Sequence, residues 1–311
     1  MKKNILKWHR IALGGVGLFS LALSVYRTIL ILTAYDSTIG HFTSGFAASV
    51  GFPLMLIFAA AFTFFIAVLL KGRCAVVTLP QNPILVFAAA FTAVCACAWL
   101  LETAVALIPT PMQTAERILL FLSLLSAIGL IVYAILCALP TAAPAARTLC
   151  GAVTALFCVF YAMLAYFHTG FTLNSPIKQY DQITFLFLAL FFLFENQILA
   201  GKKRTLLYLF FCGGSACLCA AGSLPGLVYA LVNRTPLLGS VMHDFLVFAL
   251  FLYTLARFFT LSFPVDGEEK TEGPGQDGNS AAHPTTQFTQ NGEDDRRFDT
   301  SAHTTIDFGQ K

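Results

Sequence analysis

A chain of 311 residues with 57% hydrophobic and only 11% charged side chains does not read as a soluble domain, where charged residues make up about 25%. The net charge of +3 divides unevenly: residues 1–262 carry 15 Lys/Arg against 6 Asp/Glu, a net of +9, and residues 263–311 carry 4 against 10, a net of −6. The basic part reads as a membrane-topology signal and not as a nucleic-acid surface.

A spanning helix needs roughly 20 apolar residues. In chain order the spans fall at about 11–33, 48–70, 83–108, 117–139, 146–167, 182–200, 205–232 and 241–262. Pro83 sits where a first helical turn accepts proline, and Pro109, Pro111, Pro140 and Pro144 punctuate the gaps. The predicted fold class is therefore all-α: a polytopic membrane protein with eight transmembrane helices over residues 1–262. The basic start followed by Ile11 to Ala22 resembles a secretory signal, but the apolar run continues through Leu32 without a small-residue cleavage site.

Loop charge alternates along these spans. Lys2, Lys3, Lys7 and Arg10 precede the first, Lys71 and Arg73 follow the second, Arg147 precedes the fifth, and Lys202, Lys203 and Arg204 follow the sixth. The intervening loops hold only Arg117, Lys178 and Arg234. The positive-inside rule places both termini in the cytoplasm and the protein in the plasma membrane as a multi-pass species. Residues 263–311 are poor in large apolar side chains, and such a composition does not repay ordering entropy. A disordered acidic cytoplasmic tail is expected, with a weak near-repeat between 280–288 and 301–308 that reads either as a docking site for a cytoplasmic partner or as low complexity.

Shared landmarks suggest a parallel 4+4 duplication of residues 11–139 and 146–262. Cys95-Ala-Cys97-Ala in the third span matches Cys217-Leu-Cys219-Ala in the seventh, and His41 to Phe46 matches Phe167 to Phe171. The nine cysteines lie mostly in apolar runs and read as small apolar fillers.

Ionisable side chains within a span cost about 2.5–3.5 kcal/mol each on insertion scales and so need a partner or a cavity. Arg27 lies roughly 24 Å, and Glu102 roughly 28 Å, along helices that both run outward, so the two share a depth. They read as an ion pair or as the border of an outward-facing polar cavity. Glu195 and Arg257 share a depth near the inner boundary and read as a structural ion pair. The seventh span is overlong and contains Gly222-Ser223-Leu224-Pro225-Gly226. Proline lacks a backbone donor and glycine disfavours helix, so a break is expected there. A discontinuous helix of that kind binds ligands in transporters. The alternative is a tilted helix that ends near Ser223.

Polar residues collect in the outer loops: Asp36, His41, Glu116, Arg117, His168, Lys178, Asp181, Arg234, His243 and Asp244. No two histidines show ligand spacing on one helix, so neither a metal site nor a cofactor is assigned. Phosphate-loop, nucleophile-elbow, dinucleotide-fingerprint and prenylation motifs are absent from the sequence. The segment Asn174-Ser-Pro-Ile-Lys178, followed by a Phe-rich run ending Phe194-Glu195 and by Gly201-Lys-Lys-Arg204, resembles a group of uncharacterised bacterial multi-pass membrane proteins. That resemblance spans residues 166–205 and implies a membrane location without an activity.

Three functional classes follow. The first is a transport-related protein, a permease or a transporter's membrane subunit, with Arg27, Glu102, Gly222, Ser223, Pro225 and Gly226 lining its site. The second is a membrane sensor or assembly partner that signals through its tail. The third is an intramembrane metal-dependent hydrolase, which needs His41, His168 and His243 to converge. Beyond the lipid bilayer and a cytoplasmic protein on the tail, no partner is assigned. The orientation has a direct check: in cysteine-accessibility labelling of intact cells, positions 37 and 175 react with an impermeant reagent, whereas positions 71, 203 and 278 react only after permeabilisation. Labelling of Gly278→Cys in intact cells would rule out the even span count.

Overall fold

The computed structural model describes residues 2–36, 39–43, 45, 50–71, 82–107, 114–139, 144–167, 175–200, 202, 204–237 and 240–262. The predicted acidic tail and its near-repeat lie outside these residues. Eight helices are present: α1 (Lys2–Ala34), α2 (Phe52–Leu70), α3 (Pro83–Leu107), α4 (Thr114–Ala138), α5 (Pro144–Phe167), α6 (Pro176–Leu199), α7 (Thr205–Asn233) and α8 (Val241–Ser262). Each is long and apolar enough to cross a bilayer. The protein is a multi-pass helical membrane protein, because only segments that satisfy their own backbone hydrogen bonds persist in hydrocarbon.

Two differences from the sequence reading bear on the polar residues. The sixth helix starts at Pro176, six residues before the expected position, since proline is preorganised for a first turn. Lys178 and Asp181 thereby become buried helical residues, not loop residues. The seventh helix does not break: it continues through Pro225 to Asn233 and stops at Arg234, whose φ of 57° is left-handed. Between α1 and α2, two-residue strands β1 (Tyr35–Asp36) and β2 (His41–Phe42) pair antiparallel. Gly40, at φ 67°, makes the tight return.

Helices α3 to α8 pack in sequence order and close into a ring where α8 meets α3, while α1 and α2 lie together against α7. The helices paired by the duplication reading have different surroundings, since α7 contacts α1, α2, α6 and α8 and α3 packs chiefly on α4 and α8. Burial follows this order: 61% of the α8 span is buried, against 28% of the α2 span. The exposed faces carry Leu18, Phe58, Phe87, Phe121 and Leu149, as a lipid-facing surface requires.

Small residues let α7 take four neighbours. Every residue from Cys212 to Ala221 is buried, and Gly, Ala, Ser and Cys make up all of that stretch except Leu218. With little hydrophobic force between helices in lipid, such stripes allow backbones to approach and gain dispersion contacts. Cysteine serves as one of these fillers: all eight described cysteines are free thiols, and the Cys217 thiol accepts a hydrogen bond from Ser20 Oγ at 3.3 Å. The two adjacent glycines differ in tolerance. A Cβ on Gly213 meets Thr63 at 3.5 Å, an ordinary contact, whereas one on Gly214 meets the Phe187 ring at 2.9 Å. Gly213→Ala should therefore leave thermal stability in detergent unchanged or raised, and Gly214→Val should lower it by about 1–3 kcal/mol through overpacking. Equal effects at the two positions would contradict this packing.

Candidate functional site

Pro225 dictates the chemistry in the C-terminal part of α7. In an α-helix the N–H of residue i donates to the carbonyl four residues back. Pro225 has no N–H, so the Ala221 carbonyl loses its helical donor. At this depth an unsatisfied carbonyl costs several kcal/mol. Arg27 from α1 supplies the donor: its Nη1 donates to Ala221 O at 2.7 Å. Neighbouring carbonyls receive side-chain donors as well. Tyr180 Oη donates to Leu218 O at 2.8 Å, and Ser223 Oγ to Cys219 O at 2.8 Å. The helix survives its proline because three side chains brace the turn before it.

The glycines make room for this brace. A Cβ on Gly222 would touch the Tyr180 ring at 3.4 Å and Arg27 Nη1 at 3.9 Å. A Cβ on Gly226 would lie under 3.0 Å from the Asp244 carboxyl, so only glycine admits that carboxyl against α7. The Arg27 guanidinium lies over the Tyr180 ring at 3.6 Å and faces Phe52 at 5.7 Å. Stacking on aromatic faces suits a weakly hydrated guanidinium in an apolar setting.

Beside this brace lies a second group of polar side chains. Asp181, His243 and Asp244 are 8%, 3% and 5% exposed, and Arg27 is 4% exposed. His243 Nε2 lies 2.9 Å from Tyr161 Oη and 3.7 Å from Asp181 Oδ1; its Nδ1 lies 3.9 Å from Asp244 Oδ1. The imidazole stacks on Tyr161 and Phe185, and the edge of Trp99 closes its third side. Asp181 Oδ2, His243 Nδ1 and Asp244 Oδ2 are buried without a hydrogen-bond partner among the described residues.

Glu102 belongs to this group and not to Arg27. It is exposed at the end of α3 and accepts a hydrogen bond from Ser240 Oγ, which in turn accepts from the His243 backbone N–H at 3.1 Å. The expected pairing of Arg27 with Glu102 is therefore replaced. Arg27 is turned to the α7 backbone, while Glu102 is joined to Ser240 just before α8. Gly222, Ser223, Pro225 and Gly226 do gather around Arg27. Sequence reasoning placed Asp181, His243 and Asp244 in loops. The signal that could have moved Asp181 was Pro176 as a helix start.

At the opposite end of the ring, Glu195 and Arg257 form an ion pair between α6 and α8, 1% and 3% exposed. Tyr133 Oη donates to Glu195 Oε1 at 3.2 Å, and Tyr253 Oη reaches Oε1 at 3.1 Å and Oε2 at 3.2 Å. This network ties α4, α6 and α8 together. Breaking such a pair strands a charge, so its chief consequence is a fixed helix arrangement.

Among the described residues no group of three or more His, Cys, Asp or Glu side chains is placed to hold a metal ion. His243 is stacked on α8 while His41 sits on β2, and His168 lies outside the described residues. The chain matches no protein-family model, no curated protein and no solved structure.

The brace predicts a coupling. Arg27→Gln should destabilise the protein in detergent by about 1.5–3 kcal/mol, the range for hydrogen bonds to charged groups. Pro225→Ala restores an N–H to Ala221 O, so Arg27→Gln should cost less in that background. A double-mutant cycle of unfolding free energies should give a coupling of about 0.5–3 kcal/mol. Additive effects would show that the guanidinium does not serve the proline-freed carbonyl.

Proposed function

We propose that this membrane protein is transport-related, a permease or the membrane subunit of a transporter, and that its site is the polar group around Arg27, Asp181, His243 and Asp244 against the proline turn of α7. The observation that carries this reading is the burial of four ionisable side chains within three spans and beside a fourth, with three polar atoms left without partners. Ionisable groups inside a membrane are costly, and they mark substrate or ion pathways. With a neutral imidazole the four side chains sum to one negative charge, so the favoured solute is a small cation, inorganic or an amine. Orphaned carboxylate oxygens on Asp181 and Asp244 are the acceptors such a solute needs. The proline turn gives the site a place to move. A shift of α1 against α7 would exchange the Arg27–Ala221 hydrogen bond for contacts to solute.

A second reading has its own support. The continuous burial of α7 from Cys212 to Ala221 and the buried Glu195–Arg257 ion pair favour a rigid body, as in a sensor or assembly partner. The two readings diverge in one experiment. Purified full-length protein is heated with sodium, potassium or ammonium chloride, or with small organic amines. A specific solute at a hundred times its dissociation constant should stabilise the fold by about 2.7 kcal/mol. Asp181→Asn should abolish that gain, and proteoliposomes should take up the same solute down its gradient. Stabilisation by none of these probes, with no uptake, would overturn the transport reading in favour of the rigid one.

A further inference from the structure

The gap between His243 Nδ1 and Asp244 holds no hydrogen bond. Tyr161 Oη occupies the Nε2 side of the imidazole at 2.9 Å. With Nε2–H donating to Tyr161 Oη, a neutral ring carries a bare lone pair on Nδ1; with Tyr161 O–H donating to Nε2, the ring carries its proton on Nδ1. Yet Nδ1 points at Asp244 Oδ1, 3.9 Å away, and neither Nδ1 nor Asp244 Oδ2 has a hydrogen-bond partner among the described residues. Two lone-pair groups facing each other in a buried site are unfavourable unless something positive lies between them.

We propose that His243 and Asp244 form a proton-binding site, in which Nδ1 takes up one proton and directs it toward the Asp244 carboxylate. The step forms one N–H bond and breaks none within the protein, and the proton comes from water. The summed charge of Arg27, Asp181, His243 and Asp244 goes from −1 to zero, which removes the cost of a net buried charge. Burial opposes a charge on His243, and the nearby carboxylates favour it. From α1, Arg27 lies near enough to act on both Asp181 and Asp244. From α3, Glu102 lies near enough to act on His243, and Trp99 covers the ring. Tyr161 comes from α5, and Asp181 and Phe185 from α6. From α7, Cys219 lies toward Asp181, and Gly226 leaves the space that the Asp244 carboxyl fills.

One exposed carboxylate lies beside the site: Glu102, which Ser240 joins to the His243 backbone. Its negative charge raises the local proton concentration near the imidazole. The site rests on the polar group named above but does not require that solute be moved. If transport does occur, the bound proton is its coupling ion.

Histidine NMR on isotope-labelled full-length protein in nanodiscs reads the proton directly, with His243→Gln identifying the resonance. The wild type should show both ring nitrogens of His243 protonated near neutral pH, and Asp244→Asn should lose that imidazolium signature. A His243 ring that stays neutral between about pH 5 and 8, or an imidazolium that persists in Asp244→Asn, overturns the proposal. Should Asp244→Asn fail to fold, Gly226→Ala keeps the carboxylate but displaces it, and an unchanged imidazolium fraction there overturns the proposal equally. Proton flux into dye-loaded proteoliposomes separates the two ideas. A protonated His243 without flux removes transport and leaves the proton site; a neutral His243 with solute-driven flux removes the proton site and leaves transport.

Discussion

A single carbonyl without a helical donor organises one end of this bundle. Pro225 takes the amide hydrogen from Ala221 O, and in a membrane no water stands ready to replace it. Arg27 fills the vacancy, and in doing so ties α1 to the far half of α7. Tyr180 of α6 both stacks on the guanidinium and donates to the same stretch of α7. One missing hydrogen thus draws three helices to one turn. The charge of Arg27 then needs counter-charge nearby, and Asp181 and Asp244 stand on the two helices that flank it.

The two ends of the ring solve the cost of buried charge differently. Around Glu195 and Arg257, one acid meets one base and tyrosine hydroxyls occupy the carboxylate. That arrangement is charge-balanced, and its effect is to hold α4, α6 and α8 in register. Around His243, acids outnumber the fixed cation and two carboxylate oxygens, Asp181 Oδ2 and Asp244 Oδ2, lack a hydrogen-bond partner among the described residues. A fold that places a neutralised network at one end and an acceptor-rich one at the other has separated rigidity from chemistry.

Small residues along α7 make both ends compatible. The stripe from Cys212 to Ala221 brings four helices close to one axis. Gly222 and Gly226 continue it on the side where Tyr180, Arg27 and the Asp244 carboxyl need access to the backbone. The same absence of side chains that weakens helix propensity therefore supplies the cavity for polar groups. This is why the Gly-Ser-Leu-Pro-Gly segment, read locally, suggests a break, while in place it forms a braced and continuous turn.

Hydropathy and length alone determined that the chain crosses a membrane eight times, because the apolar run needed for each crossing is a one-dimensional property. The helix start at Pro83 was legible for the same reason: proline acts on its own turn. Rise per residue converts position into an expected height, and on that ground alone Arg27 was paired with Glu102. Depth is only one coordinate. Which helices are neighbours, and which way a side chain faces around its helix, depends on packing that no single span encodes. The tertiary structure therefore decided that Arg27 meets Ala221 and Tyr180, that Glu102 joins Ser240, and that Asp181, His243 and Asp244 leave the loops for a buried group. The physical reason is that the proline-freed carbonyl and the stacked tyrosine compete for the guanidinium at close range, and matched height alone cannot outbid them.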